Sequence, residues 1–314
     1  MFSCSQNKIL PLNSDLHFSG KNMEKLKYKL DVLNYLKGFS IFTIVLMHLL
    51  QHYNIPGFVY KASSFGGAGV HVFILCSGFG LYLSHLKRPL NYVAFIKRRF
   101  MKIYVPYIIV IVASFFLLKE ADAVRALLSH VFLYKMFIEV YENSFGIQFW
   151  FVSTIIQFYL FWPVIVWLHK RKFSVIISLV ISLVYATVIC QIGLSEQRIW
   201  NSFFLQYLWE FSFGMFLAEK YFKKQTDLIP SCKILMCGAN LGGGITGVSG
   251  LYGGILKNYN DIASLAGYLC FALLLYKVCF KYCGVFQKIG SFSYELYLVH
   301  ILVFRIVWEN SHLI

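Results

Sequence analysis

Residues 37–53 read KGFSIFTIVLMHLLQHY. A basic residue opens an apolar run of membrane length, and a histidine sits inside it. An ionisable side chain is expensive in hydrocarbon, so His48 is a functional-site candidate by position alone. Imidazole is also the side chain best suited to moving a proton near neutral pH. Lys37 precedes His48 by eleven residues, about 16 Å along a helix. With Lys37 at the cytosolic end, His48 lies near or just beyond mid-membrane. His52, four residues on, shares its face. A histidine bonded to a neighbouring helix, with a snorkelling lysine, is the plain alternative.

The rest of the chain repeats this pattern. Its 314 residues are 58% hydrophobic, 18% aromatic and 14% charged, against about 25% charged in soluble domains. The fold class is all-α: a polytopic transmembrane helical bundle. Nine spans are expected, near 36–53, 66–84, 103–118, 147–168, 173–193, 200–218, 233–256, 261–280 and 290–308. A tenth crossing at 122–141 is the alternative. That segment carries Arg125, His130, Lys135 and Glu139, and reads as interfacial or re-entrant. Residues 1–29 form a polar, poorly ordered cytosolic segment without a secretory signal, in which Met23 reads like a natural start; 30–314 form the membrane domain. The net charge of +15 does not point to nucleic acid, because the basic residues cluster between apolar runs. With nine spans those clusters all fall on the cytosolic side, the N-terminus included. The eight cysteines form no paired metal-binding pattern, and no metal is expected. Glycines spaced by four in 233–256 (Gly238/Gly242, Gly243/Gly247, Gly250/Gly254) suit close helix packing better than a phosphate-cradling loop.

Four further segments carry candidate chemistry. Ser77-Gly78-Phe79 lies inside the second span. Arg98, Arg99 and Lys102 crowd the mouth of the third, followed by Tyr104 and Pro106; such a cluster holds anionic headgroups or the phosphates of a soluble ligand. Trp150, Ser153, Gln157, Tyr159 and Pro163 share the fourth, with Ser153 and Gln157 on one face. Ser293, Tyr294, Glu295, Tyr297 and His300 occupy the last, giving a second intramembrane histidine.

Taken in order, these segments resemble the membrane acyltransferase-3 family from about residue 30 to 303. His48 falls where that family has its first-helix histidine, and Lys37 where it has a basic residue eleven positions earlier. Ser77-Gly78-Phe79 matches its SGF element, and Arg99 with Lys102 its basic pair before Tyr104 and Pro106. Trp150, Ser153, Gln157-Phe158-Tyr159 and Pro163 match its fourth helix. Ser293, Tyr294, Tyr297, Leu298 and His300 match its late S-Y-x-x-Y-L-x-H element. The departures are Ile155-Ile156, where members carry acidic residues; Asn34, where an acidic residue is common; and His71, where an aspartate is common. Glu295 or Asp31 is the nearest replacement for a missing carboxylate.

The resemblance implies transfer of an acetyl group from cytosolic acetyl-CoA, a co-substrate, to a hydroxyl of a surface polysaccharide or related glycan. It implies a multi-pass protein of the bacterial cytoplasmic membrane. His48 is then the general base or a transient acyl carrier, with His300 its rival. Arg98, Arg99 and Lys102 hold CoA phosphates, and Lys37 attracts them or tunes His48. Ser77, Gln157, Tyr294 and His300 are the candidate oxyanion donors, and Trp150 and Tyr297 candidate substrate contacts. A glycan or lipid transporter or flippase is the competing class. A polysaccharide polymerase fits less well, because the outer loops are short.

Overall fold

The computed structural model describes residues 20–51, 53, 56–120, 122–223, 229–252, 254–279 and 283–311. Residues 1–19 and His52 lie outside the described residues, and with them most of the expected N-terminal segment. Every regular element among the described residues is helical. In chain order these are α1 (Gly20–Leu50), α2 (Gly57–Ser64), α3 (Gly69–Lys87), α4 (Tyr92–Leu117), α5 (Ala123–Val131), α6 (Trp150–Leu160) and α7 (Trp162–His169). Then follow α8 (Ser174–Gln191), α9 (Arg198–Asn201), α10 (Leu208–Phe222), α11 (Cys232–Tyr252), α12 (Gly254–Val278), α13 (Cys283–Ser291) and α14 (Ser293–Ser311).

Five stretches are individually long and apolar enough to cross a bilayer: Asp31–Leu50, Ala62–Lys87, Tyr92–Leu117, Ser174–Gln191 and Tyr259–Val278. Two bent pairs qualify jointly, Ile147–Leu160 with Trp162–His169 (65°) and Cys283–Ser291 with Ser293–Trp308 (82°). Among the described residues, five to seven spans therefore meet the physical test for which the sequence suggested nine or ten. The shortfall has local causes. The run expected as a span at 200–218 is broken ahead of α10, whose 15 residues reach only about 22 Å. The run expected as a span at 233–256 includes Gly253, which lies outside the described residues.

The breaks have chemical causes too. Pro163 sits at the start of α7 and cannot donate to a preceding turn. At the α13–α14 junction, Ser291 Oγ donates to Lys288 O (2.7 Å) and Ser293 Oγ to Gly290 O (3.0 Å). Such side-chain bonds compete with a continuous helix.

Segment 122–141 does not form a membrane-length helix. It folds as α5 and short 3-10 turns, and its polar groups are satisfied by protein. The Tyr107 hydroxyl donates to His130 Nδ1 (2.6 Å), while His130 Nε2 donates to Ser144 O (3.1 Å). Lys135 Nζ is buried and donates to the carbonyls of Tyr141, Glu142 and Gly146.

Backbone-to-backbone glycine contacts position the helices around the site. A Cβ on Gly38 would stand 1.8 Å from Phe286 O, and one on Gly290 1.8 Å from Asn34 O, so α1 and α13 touch. Gly78 against Phe211 O (2.1 Å) and Gly214 against Leu75 O (2.1 Å) do the same for α3 and α10. In α11 the expected packing glycines divide. Gly238 and Gly242 face Cys270 and Gly267 of α12, whereas Gly243 and Gly247 have open space. One residue of offset turns a helical position by about 100°, so the two i,i+4 pairs cannot share a face. Gly254 begins α12, and the side-chain surroundings of Gly250 and Gly254 lie outside the described set.

Candidate active site

A cavity of about 270 Å³ opens where α1, α3, α4, α6 and the α13–α14 break converge. Lys37, Arg99 and Lys102 supply its cations, and Ser77, Cys76, Tyr159, Tyr294 and Tyr297 line it. Each arrives for a local reason. Lys37 and Ser77 are chain neighbours of Gly38 and Gly78, the residues at the closest helix contacts. Arg99 and Lys102 are three apart and share a face of α4; Arg98, one step round, is exposed and does not line the cavity. Pro106 lies inside α4 and removes a helical donor there. Just below it, Ile103 O accepts from Tyr294 OH (2.8 Å), pinning α14 to α4.

The sharp break before α14 adds a backbone contribution. Gly290, Ser291, Ser293, Tyr294 and Glu295 line the cavity, so the first turn of a 19-residue helix faces it. Free N–H groups and the helix dipole at such an end favour anions. Together with three cations they make the cavity suited to phosphate, opposed locally by the Glu295 carboxylate.

Tyr297 joins this cavity to the histidines. Its ring centroid is 5.8 Å from that of His300, and its carbonyl accepts from His300 Nδ1 (2.8 Å). That bond fixes the tautomer, leaving the lone pair on Nε2. His300 is 3% exposed, and its Nε2 has no hydrogen-bond partner among the described residues. The His48 ring lies 5.4 Å away, in the last turn of α1, with Nδ1 3.2 Å from Gln51 Oε1. The two intramembrane histidines, 252 positions apart in the chain, therefore form one dyad.

Besides Arg98, two predicted residues, Gln157 and Trp150, lie outside the cavity and the dyad. Gln157 Oε1 accepts from Phe204 N (3.1 Å), and neighbouring Thr154 Oγ1 donates to Ser202 O (2.6 Å). Gln157 thus ties α6 to the segment before α10 and does not line the cavity. Trp150 stacks on Tyr207 (5.7 Å), with the Arg198 guanidinium 5.3 Å from its ring centroid.

Sequence reasoning passed over Gln148, Arg198, Glu210 and Asp261. Tyr297 OH donates to the Gln148 carbonyl, and both polar atoms of the buried Gln148 side chain lack partners among the described residues. His71 Nδ1 lies 2.7 Å from Glu210 Oε1, and His71 Nε2 3.6 Å from Asp261 Oδ1. The signal for the carboxylates was available: Glu210 is a lone acid in LWEFSFGMF, as anomalous in an apolar run as His48.

The match to known families spans residues 30–313, and it is to the acyltransferase domain Acyl_transf_3. The chain belongs to this acyltransferase family. No curated protein matches it, and no solved structure does. Family membership and the apolar helices together make the chain a multi-pass membrane acyltransferase. The cavity and dyad combine all five segments that carried the resemblance into one continuous site: α1, α3, α4, the start of α14 and, through Phe151 and Tyr159, α6.

Proposed function

We propose that the protein is an O-acetyltransferase that takes acetyl from cytosolic acetyl-CoA and places it on a hydroxyl of a cell-surface polysaccharide or related glycan. One observation carries the reading: a phosphate-suited cavity ends on Tyr297, the residue whose carbonyl orients the His300–His48 dyad. The cavity's 270 Å³ is below the roughly 300–1,000 Å³ of pockets that enclose a drug-sized ligand. It admits the thin pantetheine arm or a phosphate group rather than a whole coenzyme, which suits a thioester threaded toward the dyad. Lys37 is about 16 Å along α1 from His48 and lines the cavity with Arg99 and Lys102, so its role is to hold phosphate.

In the transfer step His48 takes the acceptor's hydroxyl proton and His300, with its free Nε2, shares it. The alkoxide oxygen bonds to the thioester carbonyl carbon. The tetrahedral intermediate collapses with cleavage of the C–S bond, and the imidazolium returns the proton to the CoA thiolate. The products are an O-acetyl ester and CoA. The Ser77 hydroxyl, which lines the cavity, and the unpartnered amide of Gln148, whose carbonyl Tyr297 meets, can donate to the oxyanion. Read with nine spans, the loop charges support a cytosolic N-terminus.

The test is acetyl transfer by the full chain in nanodiscs or native membranes, with glycan acetylation read by NMR before and after mild base. His48→Ala and His300→Ala are expected to lower kcat by roughly 10²–10⁴ while acetyl-CoA affinity holds. Undiminished transfer in both variants, or glycan movement without acetyl-CoA consumption, rejects the reading.

A further inference from the structure

A second polar cluster lies apart from the basic cavity, where α3, α10 and α12 meet. We propose that His71, Asp261 and Glu210 form a subsite for the hydroxyls of an uncharged polyol ring, the acceptor end of the reaction proposed above and dependent on that reading.

The geometry asks for a bridging oxygen. The contact between His71 Nδ1 and Glu210 Oε1, at 2.7 Å, is a hydrogen bond, whereas the one between His71 Nε2 and Asp261 Oδ1, at 3.6 Å, is too long to be one. A single oxygen about 2.7 Å from each fits that gap at an angle near 80–85°. A hydroxyl supplies both halves of the bridge, accepting from Nε2–H and donating to the carboxylate. The imidazole is held in place by Glu210 and the aspartate by Gln206, whose Nε2 donates to Asp261 Oδ2 (2.8 Å).

Glu210 supplies the independent sign of a missing ligand. Its side chain is 0% exposed, and Oε2 has no hydrogen-bond partner among the described residues. One polar atom from each of the three residues lies within 4.8 Å of the others. Leaving a buried acceptor unsatisfied is costly, and a second hydroxyl on the same ring would satisfy it. His71 and Asp261 keep side-chain exposures of 13% and 21%, so the cluster is reachable from outside.

Charge and walls narrow the ligand class. His71 lies beside both carboxylates, and the Arg198 charge acts on Asp261 from farther off, so the cluster carries no excess of positive charge to recruit an anion. Tyr207 stands 5.8 Å from the His71 ring and stacks on Trp150, giving the flat apolar wall that suits the C–H face of a sugar-like ring. From Trp150, ring contacts run through Phe151 (6.1 Å) and Tyr297 (5.3 Å) to His300 (5.8 Å). A continuous run of aromatic rings therefore links the subsite to the dyad, and two of them, Phe151 and Tyr297, also line the basic cavity.

The test uses the full chain in nanodiscs with labelled acetyl-CoA and two probes, 4-nitrophenyl β-D-glucopyranoside and 4-nitrobenzyl alcohol. Wild type is expected to acetylate the glucoside at least tenfold more efficiently than the plain alcohol. Asp261→Asn keeps an acceptor for Gln206 and is expected to raise the glucoside KM at least tenfold, with the acetyl-CoA KM within twofold. Trp150→Phe, which leaves His71, Glu210 and Asp261 in place and keeps a ring beside Arg198, is expected to raise the glucoside KM severalfold. Unchanged glucoside KM in both variants means the cluster only braces three helices and overturns the proposal. Equal use of both probes also overturns it, as does a stoichiometric divalent cation found by mass spectrometry. Acetyl-CoA turnover without glucoside preference rejects the subsite alone; no acetyl-CoA turnover on any acceptor rejects the acyltransfer reading beneath it.

Discussion

Gly38→Ala puts one methyl group where α1 and α13 touch. The new Cβ would lie 1.8 Å from Phe286 O, 2.7 Å from Phe286 C and 2.8 Å from Gly290 N. All three are backbone atoms, so no side chain can swing aside. Restoring ordinary contact requires the helices to part by about 1.6 Å, in an interior that packs with few voids. Overpacking of this kind costs about 1–3 kcal/mol, against a helix-propensity gain of about 1 kcal/mol for Gly to Ala. The displacement moves Lys37 relative to Gly290, Ser291 and Ser293, which line the same cavity. Misplacement near 1 Å costs about 100-fold in catalysis, so acetyl-CoA turnover should fall by 10- to 100-fold and the melting temperature by several degrees. Gly243→Ala is the matched control, because its Cβ meets nothing within 4 Å; propensity alone then leaves stability unchanged or raised. Thermal unfolding and acetyl-CoA titration of both variants in nanodiscs decide the matter. A Gly38→Ala protein with wild-type melting and wild-type acetyl-CoA affinity would refute the argument that this contact builds the cavity.

Three further outcomes follow from the same geometry. Arg99→Ala and Lys102→Ala should each weaken acetyl-CoA binding about tenfold or more, since a hydrogen bond to a charged group contributes about 1.5–3 kcal/mol; Arg98→Ala, outside the cavity, should change it less than threefold by titration. Gln157→Leu leaves Phe204 N–H without its acceptor and should cost about 1–3 kcal/mol of stability, with kcat of the folded fraction unchanged; a large kcat loss at normal stability would instead make Gln157 part of the chemistry. Burial pushes Lys135 down to about 7, against the pull of Glu142 and Glu120. The unfolded chain then holds more protons than the folded one between about pH 7 and the ordinary lysine value of 10.5, so this group makes stability rise with pH across that window. Lys135→Met should flatten the rise in melting temperature between pH 7 and 10, and an unchanged slope would show that Lys135 stays charged in its carbonyl cage.

Composition and apolar runs were enough to determine an all-helical membrane protein, because a bilayer leaves a chain few ways to satisfy its backbone. The order of short polar elements within those runs was enough to identify the family, and the cost of ionisable groups in hydrocarbon singled out His48. Spacing along one helix also separated Arg99 and Lys102 from Arg98 in principle, since their angular positions follow from 3.6 residues per turn. Tertiary structure decided the rest. Only folding brings His300 beside His48, and only the break before α14 turns that helix's N-terminus toward Lys37, Arg99 and Lys102. Gln157 looked like site chemistry in one dimension, whereas in the fold its amide oxygen accepts from a backbone amide 47 residues away. Glu210 and Asp261 are far apart in the chain, and only the meeting of α3, α10 and α12 gathers them around His71. Sequence periodicity reports which face a residue occupies on its own helix; which other face it meets is set by long-range packing, here by glycines that let backbones touch.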